Sequence, residues 1–380
     1  MLKGSDVAYA YTPGLRVAKA TRIVRHRTLP IDGEVLVKVG QRVRAEDIVA
    51  RTEVPGDVES VNVVGKLGIE PEDIRRYMLK REGEPVKQNE PLAESKPFIK
   101  WFKTTVLSPI TGTVESISEV TGQVLLRHPP RPVQVHAYID GVVEEVFERQ
   151  GVSIVTYSAF LQGIFGLGRE CWGILRMKAK SPEDVLDVGG IEKEDAGYII
   201  VAGAFVTVEA VLKAFELGVK GIVTGGLNAS DIKRLLGRDI GVAITGTEDI
   251  PTTIIVTEGF GKMTMAGRTF ELLKALDGKR ASISGATQIR AGVIRPEVIV
   301  PLGEEVPQDV GTKEREALKV GDVVRVIREP YFGRIGTVSE LPPELQPVET
   351  ESKVRVLKVR LSDCGEEVLV PRANIELIEE

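Results

Sequence analysis

Three short runs near the middle of the 380-residue chain hold the residue types from which an anion site can be built: Thr224-Gly225-Gly226, Thr245-Gly246-Thr247 and Thr257-Glu258-Gly259. Glycine lets main chain approach a ligand closely, threonine supplies a hydroxyl, and the first turn of a following helix offers free amide donors. The stretch from Gly225 to Asp231 is the most complete, because Asn228 or Ser230 can cap the next helix. Thr224, Gly225, Gly226, Asn228, Thr245, Gly246, Thr257, Glu258 and Gly259 therefore form the candidate ligand-binding set, suited to a small anionic ligand such as a nucleotide or phosphorylated metabolite. The same residue types also build ordinary turns between strands and helices. Asp249 and Glu258 fall in neighbouring strand-end loops, but no His, Cys or Lys joins them in a nucleophilic arrangement, so no catalytic residue is assigned. Residues 163–170, GIFGLGRE, are glycine-rich without matching GxGxxG or the lysine-bearing P-loop. His26, His128 and His136 lack metal-ligand spacing, and Cys171 and Cys364 form neither a pair nor a framework, so neither a metal nor a cofactor is expected.

The elements that would position these residues can be read from periodicity. Residues 198–206, 221–226, 242–247 and 252–261 are near-continuous β-branched runs, as strands covered on both faces should be. Between them, Val208, Val211, Leu212 and Phe215 share a helical face before Gly218. Ile232, Leu235 and Leu236 do so before Gly237, and Phe270, Leu272, Leu273 and Leu276 before Gly278. The alternation predicts an α/β layer with a mainly parallel sheet over residues 152–302, with ligands at the C-terminal ends of the strands.

Around this layer the composition differs. Residues 29–151 are short alternating runs broken by Gly, Pro and Asp, which predicts a β sandwich or barrel. A helix over 70–80 is predicted within it, from Pro71, the acids Glu70, Glu72 and Asp73, and the spacing of Ile74, Met78 and Leu79. Residues 1–28 form a basic arm: the first 31 residues carry six Lys and Arg against Asp6 alone. Such an arm can touch phosphates or lie as a solvated strand. Residues 303–315 read as a Pro-, Gly- and acid-rich linker to a second β module at 316–380.

Hydrophobic residues make up 42% of the chain and the net charge is −5, the balance of an ordinary water-soluble protein. No apolar run reaches the roughly 18 residues that span a bilayer. The first residues lack the apolar core of a secretory signal and two thiols suit a reducing compartment, so a cytoplasmic location is expected. The oligomeric state is not fixed by these features.

The first third repeats itself. The frame from Gly40 through Val43 to Ala50 returns as Gly83, Val86 and Ala93, and the alternating strand of Gly33, Val35, Val37 and Val39 returns as TGTVESISEVTG at 111–122 and more loosely as DGVVEEVFERQG at 140–151. Together with SPITGTVESI at 108–117, these frames resemble the barrel-sandwich hybrid fold of biotinyl and lipoyl carrier domains, especially the N-terminal domain of the RnfC electron-transport subunit. The resemblance covers residues 29–127 and implies two interlocked half-motifs. Carrier domains modify a lysine at a hairpin tip. Lys96 is the one candidate, but Pro97 follows it and the flanking Met or Asp-Ala signature is missing, so no cofactor attachment is assigned. The cluster cysteines of RnfC are missing too, and electron transfer is not carried over. TGGLNASDI, beginning at Thr224, resembles regulatory domains of the DRTGG type over less than half of the middle segment.

The C-terminal stretch VGDVVRVIREPYFGRIGTVSEL, at 320–341, resembles the KOW motif of NusG-type transcription factors and of ribosomal proteins. VRVLKVRL and EEVLVPRANIELI downstream would complete a small SH3-like barrel. The resemblance implies contact with RNA, the ribosome or RNA polymerase through the loop at 328–334. There Tyr331 and Phe332 could stack on a base and Arg328 and Arg334 could meet phosphates. From Leu318 onward there are nine Lys and Arg against twelve Asp and Glu, and an acidic module forfeits electrostatic attraction to nucleic acid. Protein or interdomain contact therefore weighs slightly above RNA contact. The expected function is a noncatalytic KOW-containing binding protein of the transcription or translation machinery. The alternative is an α/β small-ligand binding protein or enzyme with accessory β modules.

Overall fold

Alternation at period two decides how the middle of the chain folds. Ile200, Ile222, Ile254 and Val256 point to one side of their strands, Ile199, Val201, Val223 and Ile255 to the other, and all are buried. Such strands need cover on both faces, and helices supply it. The computed structural model describes residues 16–95, 103–236, 248–287, 294–303, 318–326, 330–331, 334–343, 345–347, 353–362 and 364–378. Four strands lie side by side in parallel: Cys171–Met177, Tyr198–Val201, Gly221–Leu227 and Thr253–Phe260. Helices Val208–Leu217 and Ala229–Leu236 cover one face through Val208, Val211, Ala214, Ile232 and Leu235. Helix Gly267–Ala275 covers the other through Phe270 and Leu273. The first helix starts where the Thr207 hydroxyl accepts the Ala210 amide at 3.2 Å, and stops at Gly218, whose φ of 75° ends the ladder. The expected strand at 242–247 lies outside the described residues.

The sheet does not end with the parallel strands. Past Cys171–Met177 come Arg280–Ser284, Glu297–Pro301 and Gly151–Gln162, each antiparallel to its neighbour, and Phe165–Leu167 flanks the opposite edge. Strand Gly151–Gln162 pairs along its length with Val17–Thr28, and its first residues also pair with Gly141–Phe147. The result is an eleven-stranded sheet that runs through the change of composition at residue 151. Residues 17–28 of the basic stretch are thus a strand of this sheet. Arg22, Arg25 and Arg27 on it pair with Glu144, Glu297 and Glu170.

The repeated frames of the first third occupy matching places in two small cores. Gly40 and Gly83 make equivalent turns with φ of 81° and 85°. Val43 and Val49 then enter one core, and Val86 and Leu92 the other. The helix expected over 70–80 is shorter: a 3-10 turn at Pro71–Asp73 leads into Ile74–Tyr77 and ends. Met78 adopts an extended backbone and bridges to Ala93, and the Leu79 amide bonds to the Leu92 carbonyl at 2.8 Å. Strand pairing overrides helix pattern here, leaving Leu79 exposed. Another short helix, Val63–Leu67, precedes Ile74–Tyr77 in the chain. It is capped by the Asn62 side chain on the Gly65 amide and closed by Gly68 in the left-handed region.

The C-terminal part is a separate six-stranded sheet around Val324, Val326, Val338, Leu357, Val359, Val368 and Val370. Mixed α/β, mostly strand and built from several sheets, the protein has, among its described residues, no helix long and apolar enough to cross a membrane.

Candidate functional site

The residues expected to bind a ligand sit at the C-terminal ends of the parallel strands, and the chain itself covers those ends. Strand Gly221–Leu227 is buried throughout, so Thr224, Gly225 and Gly226 belong to a strand, not a loop. The Thr224 hydroxyl donates to the Gly226 carbonyl at 3.1 Å, and the Thr257 hydroxyl to the Thr224 carbonyl at 3.3 Å. After Phe260 the chain turns back as a strap across the sheet. Gly261 donates to the Leu227 carbonyl at 3.0 Å, Met263 to that of Ala204 at 3.1 Å and Met265 to that of Pro182 at 3.2 Å. A side chain at Gly225 would meet the Met263 carbonyl, and one at Gly226 the Gly261 carbonyl. The close approach that calls for glycine here is made by the strap. The Gly225 amide donates to Gly203 at 2.8 Å. Asn228, exposed, donates from its side chain to Asp231 at 3.2 Å. Thr245 and Gly246 lie outside the described residues.

Glu258 is the chemically distinctive member of the set. Its side chain is 7% exposed. One oxygen accepts the Ala266 amide at 3.0 Å, just ahead of helix Gly267–Ala275, where an anion is favoured by the helix dipole. The other pairs with Arg325 of the C-terminal sheet, itself 13% exposed. Asp249, considered with Glu258 as a carboxylate pair, is exposed and faces Arg169 at 3.7 Å. Residue pattern gave no warning of Arg325: it is one position in an alternating strand whose neighbours Val324 and Val326 face inward.

Of the C-terminal loop, Tyr331 and Arg334 are described, and Arg328 and Phe332 lie outside the described residues. Tyr331 packs against the edge of the C-terminal core, and the Arg334 guanidinium lies 6.0 Å from the centre of its ring. Arg334 also donates to the Cys364 sulfur at 3.0 Å. Lys96, the one carrier-type lysine, lies outside the described residues as well.

A second charged cluster joins the first third to the α/β layer. Arg27 grips Glu170 through two bonds of 2.8 and 2.6 Å, donates to the His136 carbonyl at 2.8 Å, and lies over the Tyr138 ring. Arg25 grips Glu297 in the same two-pronged way, and the Tyr138 hydroxyl donates to Glu297 at 3.2 Å. Burial, reinforced by the Glu297 carboxylate, pushes the Tyr138 phenol well above its ordinary value, so it stays a neutral donor. Burial works against the Arg25 charge, but Glu297 outweighs it and holds the group protonated. Tyr138 has a φ of 70°, a costly backbone for a bulky residue, and the surrounding contacts hold it there. Arg280 adds bonds to Asp140 at 3.1 Å and Glu46 at 2.7 Å. Each acid in the cluster answers an arginine. The arrangement suits a rigid joint better than acid–base chemistry, which needs pKa values driven apart. Among the described residues no group of His, Cys, Asp and Glu is arranged to hold a metal ion.

Comparison of the chain with protein-family patterns and with curated protein sequences finds no match.

Proposed function

We propose that the chain is a noncatalytic binding protein whose C-terminal module, an SH3-like barrel of the KOW type, docks on a protein component of the transcription or translation machinery. The first third, as a barrel-sandwich hybrid, and the α/β layer act together as a rigid platform behind it. The observation that carries this reading is how the module uses its charges. Arg325 is committed to Glu258, Arg334 to Cys364, Lys358 to Glu340, Arg360 to Glu367, and Arg372 to the carbonyls of Val356 and Pro342. Val320, Ile335, Leu345 and Leu369 meanwhile face solvent. Arg325, Lys358 and Arg360, each paired with a carboxylate, contribute little to a polyanion, whereas aliphatic and aromatic surface suits a protein partner. At the described strand ends the small-ligand alternative gains nothing from the Gly225 amide, which donates to the Gly203 carbonyl, or from Gly226, which the strap covers.

Cosedimentation with purified ribosomes and coelution with purified core RNA polymerase test the reading. Binding to one of them should persist at moderate salt and fall at least tenfold in Tyr331→Ala and Ile335→Asp. Absence of binding to both, or binding only to naked RNA with a steep salt dependence, overturns it.

A further inference from the structure

Beside helix Gly267–Ala275 lies an open groove of about 720 Å³, lined by Lys19, Arg268, Glu271, Leu272 and Ala275. Its volume falls inside the roughly 300–1,000 Å³ of small-molecule sites. Arg268, Glu271, Leu272 and Ala275 follow the i, i+3, i+4, i+7 spacing of one helical stripe. Lys19 reaches the groove from strand Val17–Thr28, at a bulge. Ala18 faces Phe160 and Thr21 faces Ser158, so Lys19 and Ala20 together stand opposite Ala159. A bulge bends its strand and re-aims the side chains on it. The charges at this groove are unanswered. Arg22, Arg25 and Arg27 further along the same strand each pair with a glutamate, whereas Lys19 pairs with none among the described residues. Arg268 and Glu271, one helical turn apart and both exposed, likewise form no ion pair among the described residues. Two cations against one carboxylate leave the groove a single excess positive charge. Leu272, which packs against the core beside Ala159, Val17 and Leu302, is only half-buried, and with the exposed Ala275 it gives the groove an apolar floor.

From this we infer that the groove binds a small amphiphilic monoanion, a carboxylate carried on an aliphatic chain. Arg268 takes the carboxylate through a planar, two-pronged contact and Lys19 adds a point charge, while the chain lies along Leu272 and Ala275. Glu271 repels a second negative charge, which favours a monocarboxylate over a dianion. The excess charge of the groove and the single charge of the ligand then match. The inference goes beyond the docking function proposed above and does not depend on it.

Titration calorimetry of the full chain with decanoate, kept below its micellar range, tests this. One molecule should bind per chain, with 1-decanol at least fivefold weaker and acetate weaker still. Exposed charges are partly screened, so each contributes modestly. Lys19→Gln and Arg268→Gln should each weaken decanoate at least threefold and leave 1-decanol unchanged, which shows that the groove keeps its shape. Glu271→Gln should tighten decanoate at least twofold. Ala275→Trp, which fills the apolar floor from an exposed position, should abolish binding with both cations in place and the melting temperature unchanged. Absence of decanoate binding, equal binding of decanoate with 1-decanol or with acetate, or decanoate binding unaltered by Lys19→Gln and Arg268→Gln overturns the inference.

Discussion

Gly226 shows how a single missing methyl group supports the arrangement of the strand ends. A Cβ there would collide with the Gly261 carbonyl, which is main chain and cannot swing aside. We expect Gly226→Ala to cost about 3 kcal/mol in denaturant unfolding, at the upper end of overpacking penalties. Gly267, the first residue of its helix, has open space where a Cβ would sit and an ordinary φ. Gly267→Ala should be neutral or stabilise by about 0.5 kcal/mol. Equal losses from the two substitutions would show that the strap does not make the contact described. The sequence made Gly225 and Gly226 conspicuous but could not say what approached them. The answer, a turn of FGKMTM with no motif of its own, lies more than thirty residues further on.

At the scale of elements, the turn Lys193–Asp195 is held by one acid. The Asp195 side chain is fully buried, accepts the Glu192 amide at 2.8 Å, and pairs with Lys178 at 2.9 Å and Arg176 at 2.9 Å. Burial alone would raise its pKa, but Lys178, the Glu192 amide and Arg176 outweigh it and hold the group below its ordinary 3.8. A carboxylate depressed in the folded state stabilises the fold fully above its unfolded pKa and loses that contribution as pH falls through the folded value. Urea unfolding should therefore show Asp195→Asn about 2 kcal/mol less stable than wild type at pH 7, with the gap shrinking below pH 3.8. A gap independent of pH would remove the charge from the explanation. Elements with one clean periodicity were legible in advance: the helices after Thr207, Asn228 and Ala266, and the doubly covered strands between them. Strand Gly151–Gln162 was not. Both of its faces are buried and it mixes Ser and Thr with Val, Ile and Phe, so neither alternation nor a solid apolar run marks it. The shortened helix at Ile74–Tyr77 was misread because its Met78 has a strand partner fifteen residues away.

For the whole molecule, the shared eleven-stranded sheet sets how the chain comes apart. The two-pronged Arg25–Glu297 and Arg27–Glu170 contacts cross the same joint as the strand Gly151–Gln162. Scanning calorimetry should therefore show residues 16–303 melting in one transition, with the C-terminal sheet, tied in by Arg325, able to melt on its own in Arg325→Ala. Separate transitions for the first third and the α/β layer would contradict a common sheet. The pairing of Val17–Thr28 with Gly151–Gln162 also has a consequence in time. During synthesis at roughly 5–20 residues per second, the basic first strand waits on the order of ten seconds for its partner to emerge. The strand Glu297–Pro301, on the far edge of that partner, arrives later still. A cell making this protein must keep a long, half-apolar strand from pairing elsewhere throughout that interval, and its arginines, unpaired until their glutamates appear, are suited to guard it.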